Sequence, residues 1–226
     1  MSAIAELQES RLVEGVYAVA RKRRLRTRAG SEYLALELVD RSGRIEGRVW
    51  QDVDLLDGRF DEGDAVRVVG RVERYRHRLQ LEVRTVERAK VDPASLVPAL
   101  RRDADELEGF LDFLVSEVSH PGLRETARRV LGQEVRSRMR ALPASPEGHH
   151  LYAGGLLEHT VAVATICRDL CQLHPRLRSD LLLAAALLHD VGRTLELRPG
   201  PGFPPTAEGR LLGHVQLGLR LIEGRA

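Results

Sequence analysis

Four residues able to ligate a divalent cation stand at the ends of apolar helical stretches. His159 lies in GGLLEHT, His189 and Asp190 close LLLAAALLHDVGR, and His214 sits in EGRLLGHVQ. Leu181 to Leu188 are all apolar, so an imidazole and a carboxylate follow directly on a stretch built for a core. Left without partners there, they would cost several kcal/mol. Neutral imidazole and carboxylate are both good ligands for first-row divalent cations, so a metal ion satisfies them most simply. If the helices on either side of the short 174–178 connection pack antiparallel, His159 and the His189–Asp190 pair arrive at one end of the bundle. His214 begins the next helix and can reach the same place, although taken alone it reads as a satisfied core histidine.

These positions belong to a helical second half. From 93 onward the segments DADELEGFLDFLVSEV, GLRETARRVLGQEVRSRMR, GLLEHTVAVATICRDLCQLH, RSDLLLAAALLHDVG and EGRLLGHVQLGLRLIEG carry i, i+3, i+4 apolar spacing. RPGPGFPPT (198–206) reads as a loop too rigid and polar for the core. The first half has period two instead: LVEGVYAV (12–19), YLALELV, RIEGRVW, AVRVVGRV and RLQLEV alternate, with turn signals at 40–43, 54–64 and 74–78. Five short strands without a long helix predict a small closed barrel of the OB type. The expected fold is therefore multi-domain, an all-β OB-fold barrel over 1–92 followed by an all-α domain over 93–226, with VDPASLVP (91–98) as the linker.

The barrel carries the second set of candidate residues. ARKRRLRTRAGSE places Arg21, Lys22, Arg23, Arg24, Arg26 and Arg28 between the first two strands, where OB-folds often bind oligonucleotides. RYRHR adds Tyr75, Arg76 and Arg78 around His77. Cations follow a phosphate backbone and rings stack on bases, so both stretches read as a single-strand nucleic-acid interface. The signal is local: residues 1–92 hold 19 basic and 17 acidic side chains, and the whole chain has a formal net charge of only +2. Trp50 ends an alternating strand and reads first as core, with base stacking as the alternative. Cys167 and Cys171 stand four apart on a helical pattern and read as buried, unpaired thiols of a reducing compartment. The N-terminus MSAIAELQES is not a signal peptide, and no apolar run approaches the length of a membrane span. A cytoplasmic protein without membrane contact is expected.

The string HHLYAGGLLEHT, followed by LLHDVGR and LLGHV, resembles the HD superfamily of metal-dependent phosphohydrolases. With DRSGRIEGRVW in a barrel ahead of it, the chain more closely resembles the YhaM-type 3′→5′ exoribonucleases, from about residue 12 to the end. The resemblance implies that His159, His189 and Asp190 are metal ligands, with His214 as a further one. It implies that Asp190 and Arg193 take part in catalysis: Asp190 hydrogen-bonds the attacking water, and Arg193, at a position where the family usually has lysine, grips phosphate oxygens. The implied cofactor is a divalent metal, Mn²⁺ first, with Fe²⁺, Co²⁺ and Zn²⁺ also suited to such ligands. His149 and His150 read first as loop or supporting residues, with metal or substrate contact as the alternative. The family completes its site with a later Asp, and none follows Asp190, so the chain reads as C-terminally truncated. Such a bundle would expose Leu211, Leu212, Val215, Leu219 and Ile222, favouring a homo-oligomer.

The implied function is a metal-dependent 3′→5′ exonuclease acting on single-stranded RNA, or DNA, with the barrel guiding the strand to the metal site. Two alternatives stay open. One is an HD phosphohydrolase acting on a small nucleotide or phosphoester. The other is a non-catalytic single-strand-binding module, because the metal site is incomplete.

Overall fold

The computed structural model describes residues 2–146 and 148–226. It divides into two compact units, one of residues 1–98 with 200–202, the other of 99–199 with 203–226.

In the first unit, strands β1 (Leu12–Arg26), β2 (Glu32–Asp40), β3 (Gly43–Val49), β4 (Ala65–Tyr75) and β5 (Arg78–Arg88) close into a barrel in the order β1-β2-β3-β5-β4. The pairs are antiparallel except β3 with β5, which run parallel. Alternation fills the interior. Val13, Tyr17, Val19, Leu34, Leu36, Leu38, Ile45, Val49, Val66, Val68, Val72, Leu81 and Val83 form one buried cluster. Gly47 lets β3 pass close to the side chains of Leu38 and Val83, where a Cβ would stand 3.2 and 3.3 Å away. A short helix α1 (Val53–Asp57), not expected from the turn-like sequence 54–64, adds Leu56 to this core.

The basic run is not a loop. β1 continues through it to Arg26, with a register shift between Val19 and Arg21, and only 27–31 turn toward β2. The reason lies in the facing strand and the turn beside it. Arg24 and Arg26 both pair with Glu32, so a stretch that would repel itself as a loop is neutralised as a strand.

The second unit is helical: α2 (Ala104–Ser116), α3 (Pro121–Val130), α4 (Gln133–Ala141), α5 (Gly155–Leu173), α6 (Ser179–Leu188), α7 (Arg193–Glu196) and α8 (Ala207–Glu223). The stretch expected as one helix from 122 to 140 is two, because α3 ends at Leu131 and Gly132 caps α4 in extended backbone. Asp103, His120 and Thr206 accept hydrogen bonds from the first-turn amides of α2, α3 and α8. Leu107, Leu111, Leu114, Val130, Met139, Leu156, Leu157, Leu183 and Leu187 make the core. Against expectation, the Pro/Gly loop carries a buried ring, Phe203, 1 % exposed. α8 is broken at Gly213, whose φ of 68° lies in the left-handed region, so His214 starts a new turn. Leu211, Val215 and Leu219 leave that helix exposed, whereas Leu212 and Ile222 are half-buried. Cys167 and Cys171 are free thiols, half-buried rather than buried. Among the described residues, no helix is long and apolar enough to cross a membrane.

Candidate metal centre

α5 and α6 are joined by residues 174–178, and they pack together. His159, in the second turn of α5, thereby meets the residues that end α6. His159 Nε2 lies 3.2 Å from His189 Nε2 and 3.7 Å from Asp190 Oδ2, and His189 Nε2 lies 3.4 Å from the same oxygen. Each of the three brings one ligand atom within 4.8 Å of the others. The side chains of His159, His189 and Asp190 are 15, 34 and 13 % exposed, so water screens them only partly.

The hydrogen bonds around this triad decide what faces its centre. His189 Nδ1 donates to the carbonyl of Ala186 at 2.8 Å, one turn back in α6. That fixes the tautomer and leaves the Nε2 lone pair turned toward His159 and Asp190. Three potential ligand atoms therefore converge, and either a shared proton or a metal cation relieves them. The hydrogen bond to Asp190 holds the His189 imidazole above its ordinary value, although burial opposes it. Burial, then the neighbouring His189, pushes His159 below its own. Burial alone would raise Asp190, yet the His189 hydrogen bond and the charges of His189, Arg193 and His214 keep it below the usual carboxylate range.

His214 reaches the other oxygen, with its Nε2 3.5 Å from Asp190 Oδ1. Its Nδ1 lies 3.5 Å from Glu196 Oε1, and its backbone N–H donates to the same oxygen at 3.2 Å. Glu196 also takes the guanidinium of Arg193, one turn earlier in α7. Arg193 is thus tied to a carboxylate, with its Nε shut from solvent and without a hydrogen-bond partner among the described residues. Sequence reasoning missed Glu196. The available signal was its i, i+3 spacing from Arg193 in RTLE. Gly192 makes the whole approach feasible: a Cβ there would stand 1.9 Å from the carbonyl oxygen of His214. Only a glycine lets α8 come this near to the His–Asp turn.

Two further histidines belong to the neighbourhood. The rings of His149 and His150 have centroids 4.7 and 5.5 Å from that of His159.

In the barrel unit, the basic residues separate into two sorts. Lys22 is sequestered: its side chain is 11 % exposed, bonds the carbonyls of Asp57 and Phe60, pairs with Asp57 at 2.8 Å and lies over the Phe60 ring. Arg21 pairs with Glu37, Arg24 with Glu32 and Asp54, and Arg26 with Glu32. Each of these four is paired with a carboxylate of its own unit, Lys22 sequestered and Arg26 still 76 % exposed. Arg23 and Arg28 are exposed and, among the described residues, carry no ion pair. Arg76 and Arg78 are also exposed, in the tight β4–β5 turn where Arg76 and His77 both have positive φ. Tyr75 is 49 % exposed, with Arg76 over its ring at 5.3 Å.

Trp50 is not in the core. It is 40 % exposed and stacks on Tyr33, ring centroids 4.6 Å apart at 29°. The Arg48 guanidinium lies within 5.9 Å of the centroids of Tyr33, Trp50 and Tyr75. Three rings and one cation thus form a continuous outer surface at the ends of β2, β3 and β4. Tyr33 and Arg48 were not anticipated as site residues.

Residues 16–89 match the model of the OB-fold nucleic acid binding domain, and residues 156–226 match that of the HD domain. Each of these two matches covers about a third of the chain. It is similar to the 3′-5′ exoribonuclease YhaM of Geobacillus sp. (strain WCH70), 28 % identical over 83 % of this chain and 59 % of that one. To the protein of the same name from Bacillus subtilis (strain 168) it is 29 % identical, over 83 % of this chain and 61 % of that one. The chain therefore spans about three-fifths of the length of these curated relatives. Among solved structures it is similar to the second OB-fold domain of replication protein A from Methanococcus maripaludis, with a TM-score of 0.33 and 22 % identity over 40 % of this chain and 95 % of that one. The stretch matched by the HD model, 156–226, includes His159, His189, Asp190 and His214.

Proposed function

We propose that this protein is a metal-dependent 3′→5′ exonuclease of the HD superfamily that hydrolyses phosphodiester bonds in single-stranded RNA, with the OB domain guiding the strand. The observation that carries this is the convergence of the His159, His189 and Asp190 lone pairs on one point. The donor set, two imidazoles and a carboxylate, suits a first-row divalent cation, and the resemblance favours Mn²⁺. Bound there, such an ion lowers the pKa of a water molecule and polarises a phosphoryl oxygen.

The protein's own groups do the rest. His189 is oriented by Ala186, and His214 by Glu196, so the ligands are fixed before the ion arrives. Asp190, whose carboxyl lies below the usual carboxylate range, accepts a hydrogen bond from the attacking water. Arg193 stabilises charge on the phosphate when it leaves Glu196, and that exchange of one anion for another costs little. On the OB domain, the Tyr33–Trp50–Tyr75 surface stacks bases without reading them, while Arg23, Arg28, Arg76 and Arg78 track the backbone. The proposed setting is the cytoplasm.

A 5′-labelled single-stranded RNA incubated with the protein and Mn²⁺ tests the proposal. A ladder that shortens from the 3′ end, and that EDTA or Asp190→Ala abolishes, is expected. RNA left intact by the wild-type chain, which nevertheless retards it on a native gel, would leave a binding module instead.

A further inference from the structure

Two sets of ligands meet at one ring. His159 stands with His189 and Asp190 in the metal centre, and it stands equally with His149 and His150 from the loop before α5. In this second set each residue brings a ring nitrogen within 4.8 Å of the others, and the ring centroids lie 4.7 to 5.5 Å apart. The loop holds its histidines in place. His150 has a φ of 49°, in the left-handed region, and its carbonyl accepts from the amides of Ala144 at 3.3 Å and Tyr152 at 3.0 Å. Gly155 closes on that carbonyl so tightly that a Cβ would stand 2.0 Å from the oxygen. His150 Nδ1 is shut from solvent and has no hydrogen-bond partner among the described residues, a costly way to leave a ring nitrogen.

The two sets differ in chemistry. Three imidazoles with water in the fourth position make a donor set that Zn²⁺ takes in tetrahedral sites. Nitrogens on such an ion, each about 2.05 Å from it, stand about 3.3 Å apart, so small rotations of the three rings close the trio. A site of nitrogens alone also favours Zn²⁺ over Mn²⁺. The shared ring then forces a choice. A neutral imidazole has one nitrogen with a free lone pair, and the other carries the proton. Whichever nitrogen His159 offers, it serves one ion at a time.

We propose that His149, His150 and His159 form a second, separate cation site that takes Zn²⁺, and that its occupation draws His159 away from His189 and Asp190 and so releases the catalytic ion. The inference rests on the metal centre proposed above and adds a regulation to it. With His159 engaged by the loop, the first centre keeps only one imidazole and one carboxylate of its triad. Zn²⁺ at the loop site is then an inhibitor that acts without entering the catalytic position.

The test is a Zn²⁺ titration of the full chain against a chromophoric chelator, with bound Mn²⁺ followed by electron paramagnetic resonance. Asp190→Ala and, separately, His189→Ala remove the first centre, and each is then combined with His149→Ala or His150→Asn. Asparagine tolerates the left-handed backbone at 150, and far-ultraviolet circular dichroism melts confirm that each variant folds. Asp190→Ala and His189→Ala are expected to lose Mn²⁺ yet keep a Zn²⁺, and the added loop substitution should weaken that Zn²⁺ about 10-fold or more. In a chain otherwise wild type, His149→Ala should bind Mn²⁺ as before and need about 10-fold more Zn²⁺ to release it. Zn²⁺ affinity that neither loop substitution changes would overturn the second site. Release of Mn²⁺ at the same Zn²⁺ concentration from wild type and His149→Ala would overturn its control over the first. Wild-type Mn²⁺ affinity in both Asp190→Ala and His189→Ala would instead sink the metal centre on which the proposal rests.

Discussion

Gly192→Ala isolates the closeness of α8 to the His–Asp turn from everything else in the HD domain. The added Cβ would stand 1.9 Å from the His214 carbonyl oxygen, 2.5 Å from the Gly218 nitrogen and 2.9 Å from its Cα. All three atoms are backbone, so no side chain can swing aside. Real Cβ atoms essentially never come nearer than 3.0 Å, and α8 must retreat by about 1 Å. Overpacking of this kind costs about 1–3 kcal/mol, and a backbone obstacle belongs at the upper end. For a helical unit of this size that lowers Tm by roughly 6–12 °C. The retreat carries His214 away from Asp190 Oδ1, which is now 3.5 Å distant, and Mn²⁺ affinity should fall about 10-fold or more. Differential scanning calorimetry and a Mn²⁺ titration followed by electron paramagnetic resonance measure the two effects. Gly213→Ala is the control. Its φ of 68° makes alanine unfavourable by about 1–2 kcal/mol, but nothing stands within 4 Å of its Cβ position. It should lower Tm less than Gly192→Ala does. A Gly192→Ala protein that melts with the wild type and binds Mn²⁺ equally would refute the argument that this contact positions His214.

Trp50→Ala should weaken single-stranded RNA binding by about 1–3 kcal/mol, by fluorescence anisotropy, while the OB domain melts unchanged, since the ring is 40 % exposed. Lys22→Met and Arg23→Ala should behave oppositely. The first lowers stability, because three oxygens around Nζ lose their partner, and leaves the salt dependence of RNA binding intact. The second leaves stability intact and reduces the salt slope by about 0.7, the value for one phosphate contact on a single strand. Tyr17 is fully buried with its phenol raised to about 12 by burial and then by Asp40, so the folded barrel holds its proton after the unfolded chain has lost it. Its contribution is complete below pH 10 and lost between about pH 10 and 12, an amount of about 2–3 kcal/mol. Urea unfolding across that window should steepen for the wild type and flatten for Tyr17→Phe.

Periodicity disclosed the barrel and the bundle because each is dominated by burial of one face. The strands fall where alternation places them, and His159 meets His189 because a five-residue connection forces α5 and α6 side by side. What periodicity could not show is pairing between distant charges. Nothing local distinguishes Lys22, which ends under α1, from Arg23, which points to water. The difference depends on Asp57 and Phe60, thirty-five and thirty-eight residues away. Glu196 escaped notice for a related reason. Its role exists only because α8 folds back against the α7 turn and presents His214 to it.

The aromatic surface is a different matter, because its signal was present. Ile45, Gly47 and Val49 face inward on β3, so the next residue along an alternating strand must face out, and that residue is Trp50. The same parity on β2 puts Leu34 and Leu36 inside and Tyr33 outside. Register then does the rest: Leu34 stands opposite Val49, and the outward neighbours Tyr33 and Trp50 are left beside each other. A large ring on the solvent side of a strand forfeits the burial that would explain it as core, and here two of them share one face with Arg48. Hydrophobic residues argue for a core only when their parity agrees with their neighbours; where it disagrees, as at Trp50, they argue for a ligand.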